Sequence, residues 1–278
     1  MSNQAAILPE LLEQDATGAI AGIYGEIRRH SGVPYVSSLQ RYLATMPGVL
    51  EWAWAAIRPA VVSGAIPETG WRLARDVRIP PAAPLSAAVL RVWGVDAAGL
   101  AAIRNVTANF VRVSPVNIMM GGTLRLLLTG AVPGGGGFPA FWSPPAPLPA
   151  MPGNADPARL APDARAVLMQ LATTLDGTPF IPALYRQLAH WPGFLAWLAT
   201  ELGPRFDAAE TNEARAAFRN AAFRAAEEIV AALPAVAPAP IDAETTRRVL
   251  AAIDRYAGTS PEMTMFGRLI LDATPEAM

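Results

Sequence analysis

The chain has 278 residues, a formal net charge of −1, and a composition of 52% hydrophobic and 16% charged residues. These values indicate a globular protein with a sizeable core, and they give no electrostatic reason to expect nucleic acid as a partner. Cysteine and lysine are absent and the histidines are His30 and His190, which excludes disulfides, thiol or Schiff-base nucleophiles, and metal sites built on several histidines.

The spacing of apolar residues predicts helices over most of the first half of the chain. Asp15 can cap a helix that runs to about Arg29, with Ile20, Ile23, Tyr24 and Ile27 on one face. Further helices are expected over about 34–45, from Pro47 onward, and over about 68–77. Asp96 can cap the next one. Because no segment alternates convincingly like a strand, we expect an all-α fold.

The second half repeats the first. Residues 32–59 and 177–204 align without a gap at an offset of 145 and share 11 identities in 28 positions, among them Arg41/Arg186 and Trp52/Trp197. Average residue usage would give roughly two identities. The pairs Asp96/Asp242 and Ser114/Ser260 continue the match at an offset of 146. The sequence therefore predicts an internal duplication, with helical repeats over 16–129 and 162–275.

Two similar halves in one chain can pack about a pseudo-twofold axis, as two subunits pack in a dimer. We therefore expect one body, a pseudo-dimer, with a small-molecule site at the seam between the repeats. Residues 130–161 lie between the repeats and are rich in proline and glycine, so they are predicted to be a linker. The aromatic residues Phe138, Phe141 and Trp142 are expected to hold it against the surface.

No targeting signal is recognisable in the sequence. The N-terminal stretch has no basic region followed by a continuous apolar run, and no run approaches the roughly 20 apolar residues of a membrane span. We expect a cytoplasmic protein with a small-molecule ligand as its partner, with no membrane or nucleic acid, and with a homodimer left open. The residues favour neither a metal nor another cofactor.

Polar residues at helical spacing provide the first candidates for a site. Arg41 and Arg186 lie among apolar neighbours, where a guanidinium can either bind a carboxylate through two hydrogen bonds or serve as a structural ion-pair partner. Thr107 and Ser114 are seven residues apart, so two turns of one helix place them on the same face. Their counterparts are Ile253 and Ser260, which makes one wall of the seam more polar than the other.

Several of these segments resemble one enzyme family. The sequence around Tyr35 and the run from Arg41 to Gly48, the echo from Leu188 to Pro192, the proline-rich connector and the duplicated halves together look like the group I 2-haloacid dehalogenases. The resemblance covers nearly the full chain. It implies an all-α pseudo-dimer that hydrolyses 2-halo carboxylic acids without a metal, by means of an Asp that activates a water molecule.

The same resemblance indicates which positions form the site. At these positions this chain carries residue types that differ from those of the family. The place of the catalytic Asp is occupied by Leu184, which cannot accept a proton. Pro182 and Ala183 precede it as pocket positions. The resemblance implies substrate-binding positions at Tyr35, Ser38, Ser114 and Ile253, to which the helical spacing adds Thr107.

Three functions follow as alternatives. A dehalogenase-like hydrolase would need a relocated acid, for which Asp176 and Asp254 are weak candidates. An enzyme of another reaction type could retain the scaffold and use the repurposed pocket. A non-catalytic protein would bind a small carboxylate or apolar ligand in the same place. Because of Leu184, a standard dehalogenase is not expected.

Overall fold

Helices make up most of the structure, a computed structural model that describes residues 8–139, 142–175 and 178–276. The helices of the first half are α1 (Gly18–Ser31), α2 (Ser38–Leu43), α3 (Val49–Val62), α4 (Ala65–Asp76), α5 (Ala87–Val92) and α6 (Ala97–Leu128). Those of the second half are α7 (Pro162–Gln170), α8 (Ala183–Leu188), α9 (Pro192–Phe206), α10 (Ala209–Ala232) and α11 (Ala243–Ala273). The predicted helical fold is confirmed apart from one small hairpin.

This hairpin corrects the expectation that no strand forms. Strands β1 (Thr173–Leu175) and β2 (Thr178–Phe180) pair antiparallel, with Thr173 opposite Phe180. The segment between α7 and α8 is too short and too rich in threonine to favour another helix, because β-branched side chains fit the extended chain better. The sequence signal was an Asp-Gly dipeptide at 176–177 between two threonine-containing segments, a combination typical of two-residue hairpin loops.

Capping residues fix where the long helices begin and where the first one ends. The Oδ1 atoms of Asp96 and Asp242 each accept a 2.7 Å hydrogen bond from a backbone N–H in the first turn of α6 and α11, as predicted. Gly32 ends α1 in a left-handed conformation with φ of +63°, which glycine adopts without strain. Helix α2 begins only at Ser38, later than predicted, because residues 33–37 are not helical.

The two longest helices, α6 and α11, pack along each other through the middle of the molecule. Close approach is possible because each carries a glycine at the contact. A methyl group at Gly121 of α6 would lie 3.4 Å from Cγ2 of Ile253, and one at Gly267 of α11 would lie 3.8 Å from Cγ2 of Thr107. A methyl group at Gly267 would also come within 2.8 Å of Val111 Cγ2, so a larger side chain there would push the helices apart.

Two clusters of buried apolar residues form the core, and each draws on both halves of the sequence. One cluster joins α1 to α4 and the C-terminal half of α6 with α10 and the N-terminal half of α11. The other joins α5 and the N-terminal half of α6 with α7 to α9 and the C-terminal half of α11. The predicted repeats, residues 16–129 and 162–275, therefore do not have separate cores. Both long helices cross from one cluster to the other.

The length and apolar composition of the helices in the described part of the chain can be compared with those of a membrane span. No single helix there is both long and apolar enough to cross a bilayer. Helices α3 and α4 pass the same test of length and composition only as a pair, and the pair is bent by 69°.

The connector after α6 has no helix or strand over its described residues up to 156, yet it is held at many points. Its glycine-rich start donates backbone hydrogen bonds to the C-terminal end of α10. Trp142 Nε1 donates to Glu68, the Leu148 amide donates to Gly32 O, and Nε2 of His190 lies 2.8 Å from Gly153 O. Phe138 packs against the first core cluster. Phe141, the third predicted anchor, lies outside the described residues.

One carboxyl group is buried among the helices of the second half. The Tyr185 hydroxyl on α8 donates to Oε1 of Glu262 at 3.1 Å, and Arg215 Nη2 on α10 lies 3.7 Å from Oε2 of Glu262. Burial raises the pKa of Glu262 to about 7, although Arg215 and the Tyr185 hydroxyl act in the opposite direction. An ionised Glu262 therefore costs folding free energy.

Replacing Glu262 by Gln should flatten the pH dependence of stability. In the wild-type protein the folded state holds its proton up to about pH 7 and the unfolded state releases it near pH 4.5, so stability falls as pH rises between these values. We expect Glu262→Gln to lack this loss and to be more stable than wild type by up to roughly 3 kcal/mol above pH 7. Urea unfolding from pH 4 to 9 measures this.

The exposed Glu227→Gln on α10 is the matched control, because it removes the same charge from a solvated position. Its stability should follow that of the wild type throughout the pH range. A Glu262→Gln variant that loses stability most at high pH would contradict the analysis.

Candidate functional site

A pocket of about 400 Å³ opens in the middle of the molecule, where α6 and α11 meet α2 and α8. We call it the seam pocket. Its lining residues are Pro34, Tyr35, Ser37, Ser38 and Arg41 at α2, Phe110, Val113, Ser114 and Asn117 of α6, Ala150 to Asn154 of the connector, Phe180, Pro182, Ala183 and Gln187 at α8, and Tyr256, Thr259, Ser260 and Met263 of α11. The volume suits a small organic ligand.

Most of the lining residues form pairs separated by 145 or 146 positions. The pairs are Tyr35/Phe180, Ser37/Pro182, Ser38/Ala183, Phe110/Tyr256, Val113/Thr259, Ser114/Ser260 and Asn117/Met263. The members of several pairs differ in polarity: Tyr35, Ser37 and Ser38 carry hydroxyl groups where Phe180, Pro182 and Ala183 carry none, whereas Tyr256 and Thr259 carry hydroxyl groups where Phe110 and Val113 carry none. A ligand in this pocket would therefore meet both polar and apolar surfaces, with the apolar one at Phe180, Pro182 and Ala183.

Arg41 is the cation of the pocket, and it is held in place by an acid from the N-terminal segment. Its Nη2 atom lies 2.8 Å from Oε2 of Glu10 and 3.3 Å from Oγ of Ser38. Its Nε–H is buried and has no hydrogen-bond partner in the described part of the chain. The Leu11 amide donates to the Arg41 carbonyl oxygen at 3.0 Å, which keeps Glu10 next to α2.

Further polar atoms of the pocket are also without partners within the described residues. The Tyr35 hydroxyl and Oε1 of Gln187 are both buried and make no hydrogen bond. Burial raises the pKa of the Tyr35 hydroxyl, and burial together with Glu10 raises that of Tyr256 to about 12, so both phenols remain protonated at neutral pH. Buried polar groups are normally satisfied, so Tyr35 and Gln187 each lack a partner that a bound water or ligand could supply.

Asn117 connects the pocket wall to α2. Its Nδ2 donates to Ser37 Oγ at 2.6 Å, and its Oδ1 accepts from Gln40 Nε2 at 3.3 Å. This network fixes the orientation of the amide and leaves the Ser37 hydroxyl proton available to a ligand.

The described lining of the seam pocket contains hydroxyl, amide, phenol and guanidinium groups, but no carboxylate and no imidazole. Nor does the described chain contain a group of three or more acidic or histidine side chains placed to hold a metal ion. At neutral pH these groups donate hydrogen bonds, and the guanidinium among them, Arg41, is paired with Glu10, while no strong proton acceptor lines the described part of the pocket. The set is suited to a ligand that carries several hydrogen-bond acceptor atoms.

The residues predicted for the site do not all meet. Tyr35, Ser38, Ser114 and Ala183 line the seam pocket. Thr107 and Ile253 do not, because both lie in the contact between α6 and α11, where Thr107 Oγ1 donates to the Ile103 carbonyl. Seven residues turn an ideal helix by about 700°, so Thr107 and Ser114 share one face of α6 to within about 20°. They are separated by roughly 10 Å along the helix axis, however, and only Ser114 reaches the pocket.

The described positions that were considered for the family's catalytic acid, Leu184 and Asp254, do not line the seam pocket. Leu184 is fully buried in the second core cluster and does not line the pocket, because the first turn of α8 directs Ala183 to the pocket instead. Asp254 is half-exposed on α11, where its Oδ1 accepts from Arg125 Nε at 2.8 Å on the surface. Asp176 lies outside the described residues.

Sequence reasoning missed Glu10, Asn117 and Tyr256. Glu10 belongs to a segment without helical periodicity, so no spacing argument could place it beside Arg41. Asn117 and Tyr256 could have been found from helical spacing. Asn117 follows Ser114 by about one turn of α6, and Tyr256 precedes Ser260 by about one turn of α11.

Comparisons with known proteins identify the fold. No family model matches the chain, and no curated protein matches it. Among solved structures, a D-2-haloacid dehalogenase mutant in complex with D-2-CPA is similar with a TM-score of 0.74 and 20% identity, over 98% of this chain and 97% of that one. A D-2-halacid dehalogenase mutant has a TM-score of 0.72 and 21% identity, over 96% and 97% of the two chains.

A third structure, a D-2-haloacid dehalogenase in complex with L-LA, has a TM-score of 0.72 and 18% identity, with 97% of both chains covered. These likenesses extend over almost the whole of each chain. The chain therefore has the fold of the D-2-haloacid dehalogenases.

Introducing an acid at Leu184 and at Ala183 should have opposite consequences. Leu184→Asp places a carboxyl group in a closed apolar core and should reduce the free energy of unfolding by roughly 3–5 kcal/mol. Ala183→Asp places the carboxyl group in the pocket, in the first turn of a helix, and should cost less than about 1 kcal/mol. Urea unfolding of the two variants tests this. Equal destabilisation would show that the pocket side of α8 has been misidentified.

Proposed function

We propose that this protein is a relative of the 2-haloacid dehalogenases that binds a small carboxylic acid in the seam pocket and does not carry out their Asp-dependent hydrolysis. The single observation that supports this most strongly is the lining of the pocket: a guanidinium and several hydroxyl and amide groups, with no carboxylate among its described residues.

Arg41 is the proposed partner of the ligand carboxylate. Its Nε–H is buried without a partner within the described residues, and so is the hydroxyl of Tyr35, another residue of the pocket lining. A carboxylate accepts several hydrogen bonds, and bonds to a charged donor are the stronger ones. The apolar wall at Phe180, Pro182 and Ala183 would then face the hydrocarbon part of the acid.

Hydrolysis at C2 of a halo acid needs a base that removes a proton from the attacking water. Leu184 cannot act as this base, and it is buried away from the pocket. Of the two other acids considered, Asp254 is held by Arg125 at the surface. Glu10 is the acid that contacts the site, but it contacts Arg41 and is not part of the pocket lining.

A hydrolase with a relocated acid is the second candidate, and the observation that favours it is that the carboxylate of Glu10 lies beside the pocket, 2.8 Å from Nη2 of its lining residue Arg41. In that case Glu10 would have to leave Arg41 to reach a water molecule in the pocket. Release of chloride from 2-chloropropionate that is abolished by Glu10→Gln would identify this function.

We also propose that the fold arose by internal duplication and has pseudo-twofold symmetry. Reciprocal contacts support this: Gly121 faces Ile253 and Gly267 faces Thr107, and both glycines and both partners are 146 positions apart. An isologous interface has this property, because residue i contacts j while the equivalent of j contacts the equivalent of i. On this proposal the seam pocket lies across the pseudo-twofold axis, and the pairing of its lining positions supports this.

Opposite changes in carboxylate affinity are expected when the two members of the ion pair are neutralised. Arg41→Gln should weaken binding of 2-chloropropionate or lactate by about 10- to 100-fold, because it removes a charge-assisted hydrogen bond. Glu10→Gln should strengthen binding, because it removes a competing carboxylate from Arg41. Isothermal titration calorimetry with both enantiomers of each acid measures these effects.

Arg186→Gln is the matched control, since Arg186 occupies the equivalent position of the second half and does not line the pocket. Its affinity for the acids should equal that of the wild type. Chloride release by the wild-type protein at an enzymatic rate would refute the non-hydrolytic proposal. Absence of binding of all four acids would refute the carboxylate site itself.

A further inference from the structure

A second concave surface lies on a different face of α6. This groove has a volume of about 400 Å³ and runs between α4, α6, α11 and the connector. We call it the arginine groove, and its principal residues are Trp71, Arg75, Arg112, Leu148, Arg268 and Leu271. It shares no lining residue with the seam pocket, although both sites use α6.

Three guanidinium groups line this groove, and none of them has a carboxylate partner within the described ranges of the chain. Arg75 and Arg268 are exposed and make no side-chain hydrogen bond there. Arg112 donates only to the carbonyl oxygens of Gly32 and Ala146, at 3.0 and 2.8 Å. Three positive charges therefore face one groove without an ion-pair partner, in a chain whose net charge is −1.

Arg112 is the most informative of the three because it is partly buried. Burial lowers its pKa, and no acid compensates for the lost hydration. Partly buried charges are normally paired, so a cation that is held only by carbonyl oxygens favours an anion from outside the chain. The two carbonyl contacts fix the guanidinium in position before any ligand arrives.

Apolar side chains form the rest of the groove. Trp71 is fixed by a 2.8 Å hydrogen bond from its Nε1 to the Arg112 carbonyl oxygen and by its ring contact with Trp142. Leu148 of the connector and Leu271 of α11 also line the surface. A ligand that fits this groove has an apolar body as well as a strongly anionic group.

We infer that the arginine groove binds a small phosphate monoester with an apolar body. A phosphate dianion offers three acceptor oxygens and two negative charges, which match several arginine side chains that line one groove better than one carboxylate does. An adjoining cavity of about 230 Å³ shares Arg268 and adds Arg78, but it also contains Asp272, which disfavours an anion at that end. The phosphate is therefore placed at Arg75, Arg112 and Arg268.

Phenyl phosphate is the probe that tests this assignment. It should bind the wild-type protein and shift the indole N–H resonance of Trp71 in a ¹⁵N-correlation spectrum, which Trp71→Phe assigns. Arg75→Gln combined with Arg268→Gln should weaken binding at least about tenfold in calorimetry. Benzyl alcohol, which lacks the charge, should not bind, and inorganic phosphate should bind more weakly than phenyl phosphate.

Arg91→Gln combined with Arg219→Gln is the matched control, because it removes the same charge from exposed positions outside the groove. This control and Arg41→Gln should bind phenyl phosphate like the wild type, which separates the groove from the seam pocket. The inference is overturned by the absence of binding to the wild type, by equal weakening in the two double variants, or by a ligand response that leaves Trp71 unchanged.

Discussion

The close packing of α6 against α11 is the contact on which the rest of the structure depends. Both helices cross from one core cluster to the other, so their separation sets the positions of the elements around them. Glycine at 121 and 267 permits the short distance, because any Cβ at Gly267 would meet Val111. The seam pocket lies between the two glycine contacts, Gly121 with Ile253 and Gly267 with Thr107. There, residues within 110–117 of α6 and 256–263 of α11 line the pocket together with residues at α2 and α8.

Sequence alone predicts α1 to α4 and the starts of α6 and α11, because proline, glycine and the capping residues Asp96 and Asp242 mark helix ends locally, but it does not predict the short helix α5, and α1 begins after Thr17 and not after Asp15. It does not predict which face of a long helix meets a cavity. Leu184 and Ala183 are neighbours, yet one is in the core and the other lines the pocket, and a rotation of about 100° separates them. Likewise, the sequence does not show that Thr107 and Ile253 lie in the contact between α6 and α11, because this depends on how the two helices pack against each other.

Contacts between segments that are distant in the sequence could not be predicted from it either. Glu10 reaches Arg41 because the chain before α1 is bound to α2, and nothing in the spacing of that segment indicates it. The hairpin before α8 is a local feature whose signal was present but weaker than the surrounding helical pattern. The proposed duplication, in contrast, rests on identities that are visible in the sequence, and the paired lining positions of the pocket follow the same offsets of 145 and 146.

The connector is part of the site architecture and not only a tether between the halves. Its residues Pro145 and Leu148 line the arginine groove, and residues 150–154 line the seam pocket. The Gly32 carbonyl oxygen accepts hydrogen bonds from Arg112 and from the Leu148 amide, three residues before Tyr35 of the pocket. These bonds join the connector, α6 and the segment before α2, and different residues of the connector line the two concave surfaces, so the position of the connector affects the shape of both.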